Sequence, residues 1–142
     1  MPDKELIRFL EAQNQMYLTA LSEVKKGSKK SHWMWFIFPQ LKGLGTSETA
    51  RYFSLNGISE ATQYLKHPIF GEHLVEISQA LLTFDGKTAH QIFGSQDDLK
   101  LRSCMTLFAA IENSNPVFSQ ILDKYFDRRP DALTLSLLQK QT

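Results

Sequence analysis

Residues 3–27, DKELIRFLEAQNQMYLTALSEVKKG, decide what kind of fold this chain can have. Leu6, Phe9, Leu10, Gln13, Met16, Tyr17, Ala20, Leu21 and Val24 recur at steps of three and four. That spacing lines up one side of a helix with 3.6 residues per turn. Lys4, Glu5, Arg8, Glu11 and Gln15 fall on the other side. Asp3 stands where an N-cap belongs and Gly27 where a helix stops, so the segment predicts one helix from about Asp3 to Lys26. Its buried stripe contains a misfit, Gln13. Burying an amide without partners costs roughly 1 to 3 kcal/mol, so Gln13 must bond something inside, with loop backbone between Pro39 and Gly45 or a ligand as the candidates.

The helical period continues along the chain. Thr46 or Ser47 opens a second helix that Asn56-Gly57 ends, and Ser59 caps a short one through Glu60, Ala61, Tyr64 and Leu65. His67-Pro68 reads as N-cap and first helical position of the next, with Phe70, Leu74, Ile77 and Leu81 inward and Asp85-Gly86 closing it. A short helix around Thr88 to Phe93 ends at Gly94. Ser95 or Asp97 then starts a longer one through Ile111, with Leu101, Cys104, Met105, Phe108 and Ile111 inward. Asn115-Pro116 breaks it, and Pro116 to Phe126 and Asp131 to Gln139 close the chain. No run alternates with period two long enough to need a sheet. The expected fold is all-α, a single compact domain over residues 1–142 made of seven or eight short helices.

Composition agrees with one core, since 142 residues with 42% hydrophobic content suffice to bury one. Sixteen Lys and Arg against fifteen Asp and Glu leave a net charge of +1, too little for a global field that would recruit nucleic acid or an anionic membrane. Any charge-based recognition must therefore be local. Cys104 is the only cysteine and cannot form an internal disulfide. There is no signal peptide and no apolar run near 18 residues, so the expected setting is the cytoplasm, away from membranes.

The stretch most informative about function is Ser31 to Gln40, SHWMWFIFPQ, running into Lys42-Gly43-Leu44-Gly45-Thr46-Ser47. Trp33 and Trp35 with Phe36 and Phe38 form an aromatic wall that can pack the core, stack a base or grip a sugar. If His32 to Phe38 coils into a turn or two of helix, Trp33 and Phe36 share one side and His32 and Trp35 another. Gln40 sits at the edge of the wall, able to read a base or to hold the loop. Gly43 and Gly45 bare the backbone just before a helix start at Ser47, where free N–H groups favour a phosphate or carboxylate. The same glycines also suit a tight turn. No Walker loop or dinucleotide fingerprint is present, and no cofactor is implied.

Further along, Lys100 and Ser103 lie close on one helix. If that side faces the Gly43 to Ser47 loop, they add a charge and a hydroxyl to a bound phosphate. Ser103, Thr106 and Ala110 make a face of small residues suited to a close helix or a ligand, while Asp98 and Arg102 are spaced to pair on the surface. Of the four histidines, 32, 67, 73 and 90, none has the spacing of a helical metal site. His32 is the one inside the informative segment and the candidate general acid or base. The run Lys25, Lys26, Lys29, Lys30 next to the tryptophans has the make-up of a single-stranded nucleic-acid site, and equally of a solvated helix end.

Taken in order, Arg8 to Gln13 (RFLEAQ), HWMWFIFPQ, Gly43-Leu44-Gly45, His67-Pro68, Ile92-Phe93-Gly94, Asp98-Leu99-Lys100, Met105 to Phe108 (MTLF), and Asp131 with Thr134-Leu135 resemble the domain-of-unknown-function 1810 family over almost the whole chain. The resemblance implies a compact, mostly helical domain and supplies no function. Two departures stand out: His73 where the family often has arginine, and Cys104 where a second serine is common. Two functional classes stay open. One is a pocket protein for a phosphorylated small molecule, nucleotide or ADP-ribose-like, with any chemistry acid-base or hydrolytic. It would use Trp33, Trp35, Gln40, Gly43, Gly45, Ser47, Lys100 and Ser103. The other is a helical interaction module for a protein or single-stranded nucleic acid. The oligomeric state is not legible.

Overall fold

In the computed structural model, which describes residues 6–140, the apolar periods resolve into nine helices among the described residues: α1 (Arg8–Lys25), α2 (Met34–Ile37), α3 (Glu48–Tyr52), α4 (Ile58–Lys66), α5 (Phe70–Thr83), α6 (Ala89–Phe93), α7 (Asp97–Ala109), α8 (Val117–Phe126) and α9 (Ala132–Lys140). The count exceeds the expected seven or eight because the aromatic segment coils into the short α2. The Asp3 cap lies outside the described residues.

The all-α class holds, with one local exception to helical pairing. The helix opened by Ser47 ends at Tyr52 instead of reaching Asn56-Gly57. Leu55 turns extended and bridges Leu41, with Lys42 N–H donating to Leu55 O at 2.7 Å and Leu55 N–H to Gln40 O at 2.9 Å. These two bonds tie the segment after the aromatic wall to the segment after α3. The cap at Ser47 is as expected, its Oγ accepting from Ala50 N–H at 3.1 Å. Helix α5 begins at Phe70 with Ile69 as its N-cap, later than the expected His67-Pro68 start, and His67 serves that end as an acceptor. Its Nδ1 accepts from Ile69 N–H at 3.1 Å, an imidazole nitrogen taking the place of the usual hydroxyl or carboxylate.

Helix α7 is the hub. It packs against α4, α6, α8 and α9, while α5 packs against α1, α4 and α8. A helix surrounded in this way cannot keep a polar side, and Ser103 to Phe108 are buried without interruption. The sequence period marked only part of that face. Around α7 runs a chain of aromatic rings: Phe9 to Tyr64 at 5.0 Å, Tyr64 to Phe108 at 5.7 Å and Phe108 to Phe118 at 5.6 Å, separations typical of packed aromatic pairs. Helices α4 and α5 meet so closely at Gly71 that a Cβ there would lie 1.9 Å from Leu65 O.

One carboxylate fixes how the aromatic segment joins the first helix. Glu23, near the end of α1, accepts from Lys30 N–H at 2.8 Å, Ser31 N–H at 3.0 Å, Ser31 Oγ–H at 2.6 Å and Trp33 Nε1–H at 2.8 Å. Burial by itself would raise the pKa of Glu23, but these donors, led by the Ser31 hydroxyl, outweigh it and hold the carboxyl at about 2. The Trp33 indole, fully buried, thus has its one polar atom satisfied.

Because the folded pKa lies below the unfolded value, this contribution is complete above about pH 4.5 and is lost as the pH falls through about 2. Glu23→Ala should lower the unfolding free energy in urea by about 2 to 4 kcal/mol, since it strips several charge-assisted bonds and orphans a buried indole N–H. The variant should also lose less stability than the wild type between pH 5 and pH 2. Parallel acid dependence in the two proteins would refute this role.

Candidate functional site

The two tryptophans part company. Trp33 is sealed in the core, 0% exposed, set edge-on to Phe93 with ring centroids 6.3 Å apart. No ring face is left for a ligand. Trp35 points the other way and is half-buried. It lines a recess with Gln40, Leu41, Gly45, Ala50, Phe53 and Ser54, and Lys100 Nζ stands over its ring at 5.3 Å. Four of the residues singled out in the sequence, Trp35, Gln40, Gly45 and Lys100, therefore gather from distant segments.

The recess is nonetheless small. Its volume is about 10 Å³, room for about one water molecule. The loop that forms it is drawn tight: a Cβ on Gly45 would stand 2.5 Å from Ala50 Cβ, so glycine lets the loop close on α3. Gly43 takes a left-handed φ of +104° against Leu137 of α9. Ser47 Oγ is engaged by its own cap, and α3 has five residues, too short to present an anion-binding end of any strength. Lys100 Nζ bonds Asp97 Oδ1 at 3.1 Å, and Asp97 Oδ2 also holds Lys29 at 3.0 Å.

Other expectations meet different partners. Ser103 is buried, its Oγ–H donating to Leu99 O on its own helix at 3.1 Å, so it is turned away from solvent. The small-residue face admits a close chain segment, with Thr106 Oγ1 accepting from Asp131 N–H at 2.8 Å. Arg102 does not pair with Asp98. It donates to Arg129 O at 2.7 Å and Pro130 O at 3.0 Å, while Asp98 faces His90 at 3.3 Å. His32 is exposed and outside the recess, without the orienting partner that a general base needs. The lysine run is divided, since the Lys29 side chain is only 8% exposed and lies against Trp33, 5.0 Å from its ring. With Trp33 sealed, the lysines left in solvent have no adjacent indole on which a base would stack.

Gln13 is partnered away from the Pro39 to Gly45 loop. Its Nε2 donates to Phe36 O and Tyr64 Oη, each at 2.8 Å, and its Oε1 lies 2.8 Å from His73 Nδ1. With both amide hydrogens committed, Oε1 must accept and His73 Nδ1 must carry the proton. Burial lowers the His73 pKa against the opposing pull of Glu76 and Glu72. The imidazole stacks on Tyr17 at 3.7 Å, whose hydroxyl donates to Glu76. Burial also pushes the Cys104 thiol well up, which keeps it unreactive. Among the described residues no group of three or more His, Cys, Asp or Glu side chains is placed to hold a metal ion. No described helix is long and apolar enough to cross a membrane.

On the other side of the Leu41–Leu55 bridge lies a cationic hollow that no sequence pattern announces. A cavity of about 450 Å³ is lined by Ile7, Arg8, Lys42, Arg51, Tyr52, Ser54 and Asn56. Arg8 is fixed in its wall, with Nη2 donating to Ser54 O at 2.7 Å and to Glu60 Oε1 at 2.9 Å. Glu60 is buried and also accepts from Asn56 N–H at 3.0 Å. Lys42 and Arg51 carry exposed side chains with no ion pair among the described residues. Ser54 lines both this cavity and the Trp35 recess, so the two hollows share a wall. The Leu41–Leu55 bridge brings positions 42 and 51 together and the Arg8 bond to Ser54 adds position 8, contacts between segments that share no sequence pattern.

A family model described as a protein of unknown function (DUF1810) matches residues 3–138. The crystal structure of the conserved hypothetical protein Rv1873 from Mycobacterium tuberculosis is similar, with 41% identity, a TM-score of 0.93, and coverage of 95% of this chain and 96% of that one. A search of curated proteins finds no match.

The division between the indoles is open to measurement. Acrylamide should quench the fluorescence of Trp33→Phe, which retains only Trp35, and leave that of Trp35→Phe nearly untouched. Equal quenching of the two variants would contradict the sealed position of Trp33.

Proposed function

This chain belongs to the DUF1810 family, described only as of unknown function, and we propose that it binds a phosphorylated small molecule in the cavity between α1 and α3. The observation that supports the reading is the convergence of Lys42 and Arg51 with Arg8 on a hollow of about 450 Å³ with no acidic lining residue among those described. Glu60 pairs with Arg8, and Lys42 and Arg51 line the space with no ion pair among the described residues. Arginine offers a planar fork of donors to phosphate oxygens and lysine a point charge. The volume falls within the range of small-ligand pockets. The near-neutral chain thus acquires a local anion site without a global field.

The Trp35, Gln40, Gly45 and Lys100 recess adjoins this cavity through Ser54 and belongs to the same reading as a neighbouring subsite. A phosphate held between Gly43, Gly45, Ser47 and Lys100 remains the competing placement. It would require the loop to open, because the recess holds about 10 Å³. The proposed activity is binding. His32 lies outside both hollows, and His73 is bound to Gln13 elsewhere.

A thermal-shift series with inorganic phosphate and ribose 5-phosphate separates the two placements. At a concentration about a hundredfold above Kd, binding adds about 2.7 kcal/mol and should raise Tm by several degrees. The double variant Lys42→Ala/Arg51→Ala should abolish the rise and Lys100→Ala should leave it. The reverse pattern would move the site to the glycine loop, and no rise with either ligand in the wild type would end the reading.

A further inference from the structure

We infer that the occupant of the Arg8, Lys42 and Arg51 cavity is a nucleoside monophosphate, with its base against Tyr52 and its phosphate on the cations. The inference rests on the reading above and adds the ligand's second half. Two of the lining residues are large apolar side chains left in solvent, Ile7 at 64% and Tyr52 at 59% exposure. Either alone would be unremarkable on a protein surface. Both border the same cationic hollow, one from the start of α1 and one from the end of α3. Inorganic phosphate or a sugar phosphate would leave both wet, whereas a flat heteroaromatic ring would bury them.

Tyr52 is also held as a platform should be. Its ring meets Phe53 edge-on at 4.8 Å and 80°, and Phe53 is anchored in turn against Phe36 at 5.3 Å and Phe9 at 5.6 Å. The ring therefore loses little conformational freedom when a base stacks on it. Charge and ring sit close along the chain, since Arg51 and Tyr52 are adjacent on α3 while Lys42 arrives across the Leu41–Leu55 bridge. A ligand that spans them needs an anionic end and a flat end a short distance apart, joined by something of the size of a pentose.

Calorimetry with AMP, ribose 5-phosphate and adenosine on the full chain tests this. AMP should bind about tenfold more tightly than ribose 5-phosphate, the order expected from stacking one base on an aromatic side chain. Tyr52→Ala should erase that ratio while leaving ribose 5-phosphate binding unchanged, and Tyr52→Trp should restore it. Arg51→Ala should weaken both phosphorylated ligands. Equal affinities for AMP and ribose 5-phosphate, unmoved by Tyr52→Ala, would overturn the base-stacking inference and leave the phosphate reading standing. Adenosine binding as tightly as AMP would overturn the phosphate reading, and no binding by any of the three would overturn both.

Discussion

A single buried amide holds the molecule's first half in register. Gln13 is 1% exposed and connects four helices: it stands on α1, donates to Phe36 O in α2 and Tyr64 Oη in α4, and accepts from His73 in α5. Each bond is modest in net worth, yet leaving any of these buried groups unpaired is expensive. The arrangement therefore admits one angle between α1 and the aromatic segment. That angle sends Trp33 inward to Glu23 and Trp35 outward to Lys100. His73 meets this need, since Gln13 Oε1 requires a donor from α5.

The distribution of paired charge follows from the same packing. Asp97 holds both Lys29 and Lys100, Arg8 is matched by Glu60, and Arg102 and Lys124 spend their donors largely on backbone carbonyls. Such contacts fasten loops to helices more than they stabilise through charge alone. Lys42 and Arg51, like Lys25, Lys26 and Lys30, have no ion pair among the described residues. The first two stand on segments joined by the Leu41–Leu55 bridge, a two-bond feature whose geometry also closes the neighbouring Trp35 recess. A chain of net charge +1 can thus present a cationic hollow where no described acidic residue lines it.

Much of the fold was legible because helical burial is periodic. The stripe of residues 6–24, the cap at Ser47, the stops at Gly27 and Gly94 and the break at Asn115-Pro116 all act within a turn or two of the residues concerned. Where α3 stopped early, a contact with a distant segment overrode local signals: Leu55 had to become extended to meet Leu41. For the buried span of α7, period alone was insufficient, since a helix enclosed by four others has no outer side for the pattern to mark.

The candidate site was less legible, and Trp33 and Trp35 illustrate the reason. Trp33 at the N-cap of α2 and Trp35 within it face different ways, but nothing local said which would be sealed; the angle set by Gln13 and the carboxylate of Glu23, ten residues upstream of Trp33, together made that choice. Likewise Arg8, Lys42, Arg51 and Tyr52 had no shared pattern. By itself the sequence determined the all-helical class, most helix ends and the need for Gln13 to find partners, because these depend on backbone geometry and desolvation near each residue. Tertiary structure alone decided which aromatic ring meets solvent and where cations converge, because those depend on contacts between segments far apart in the chain.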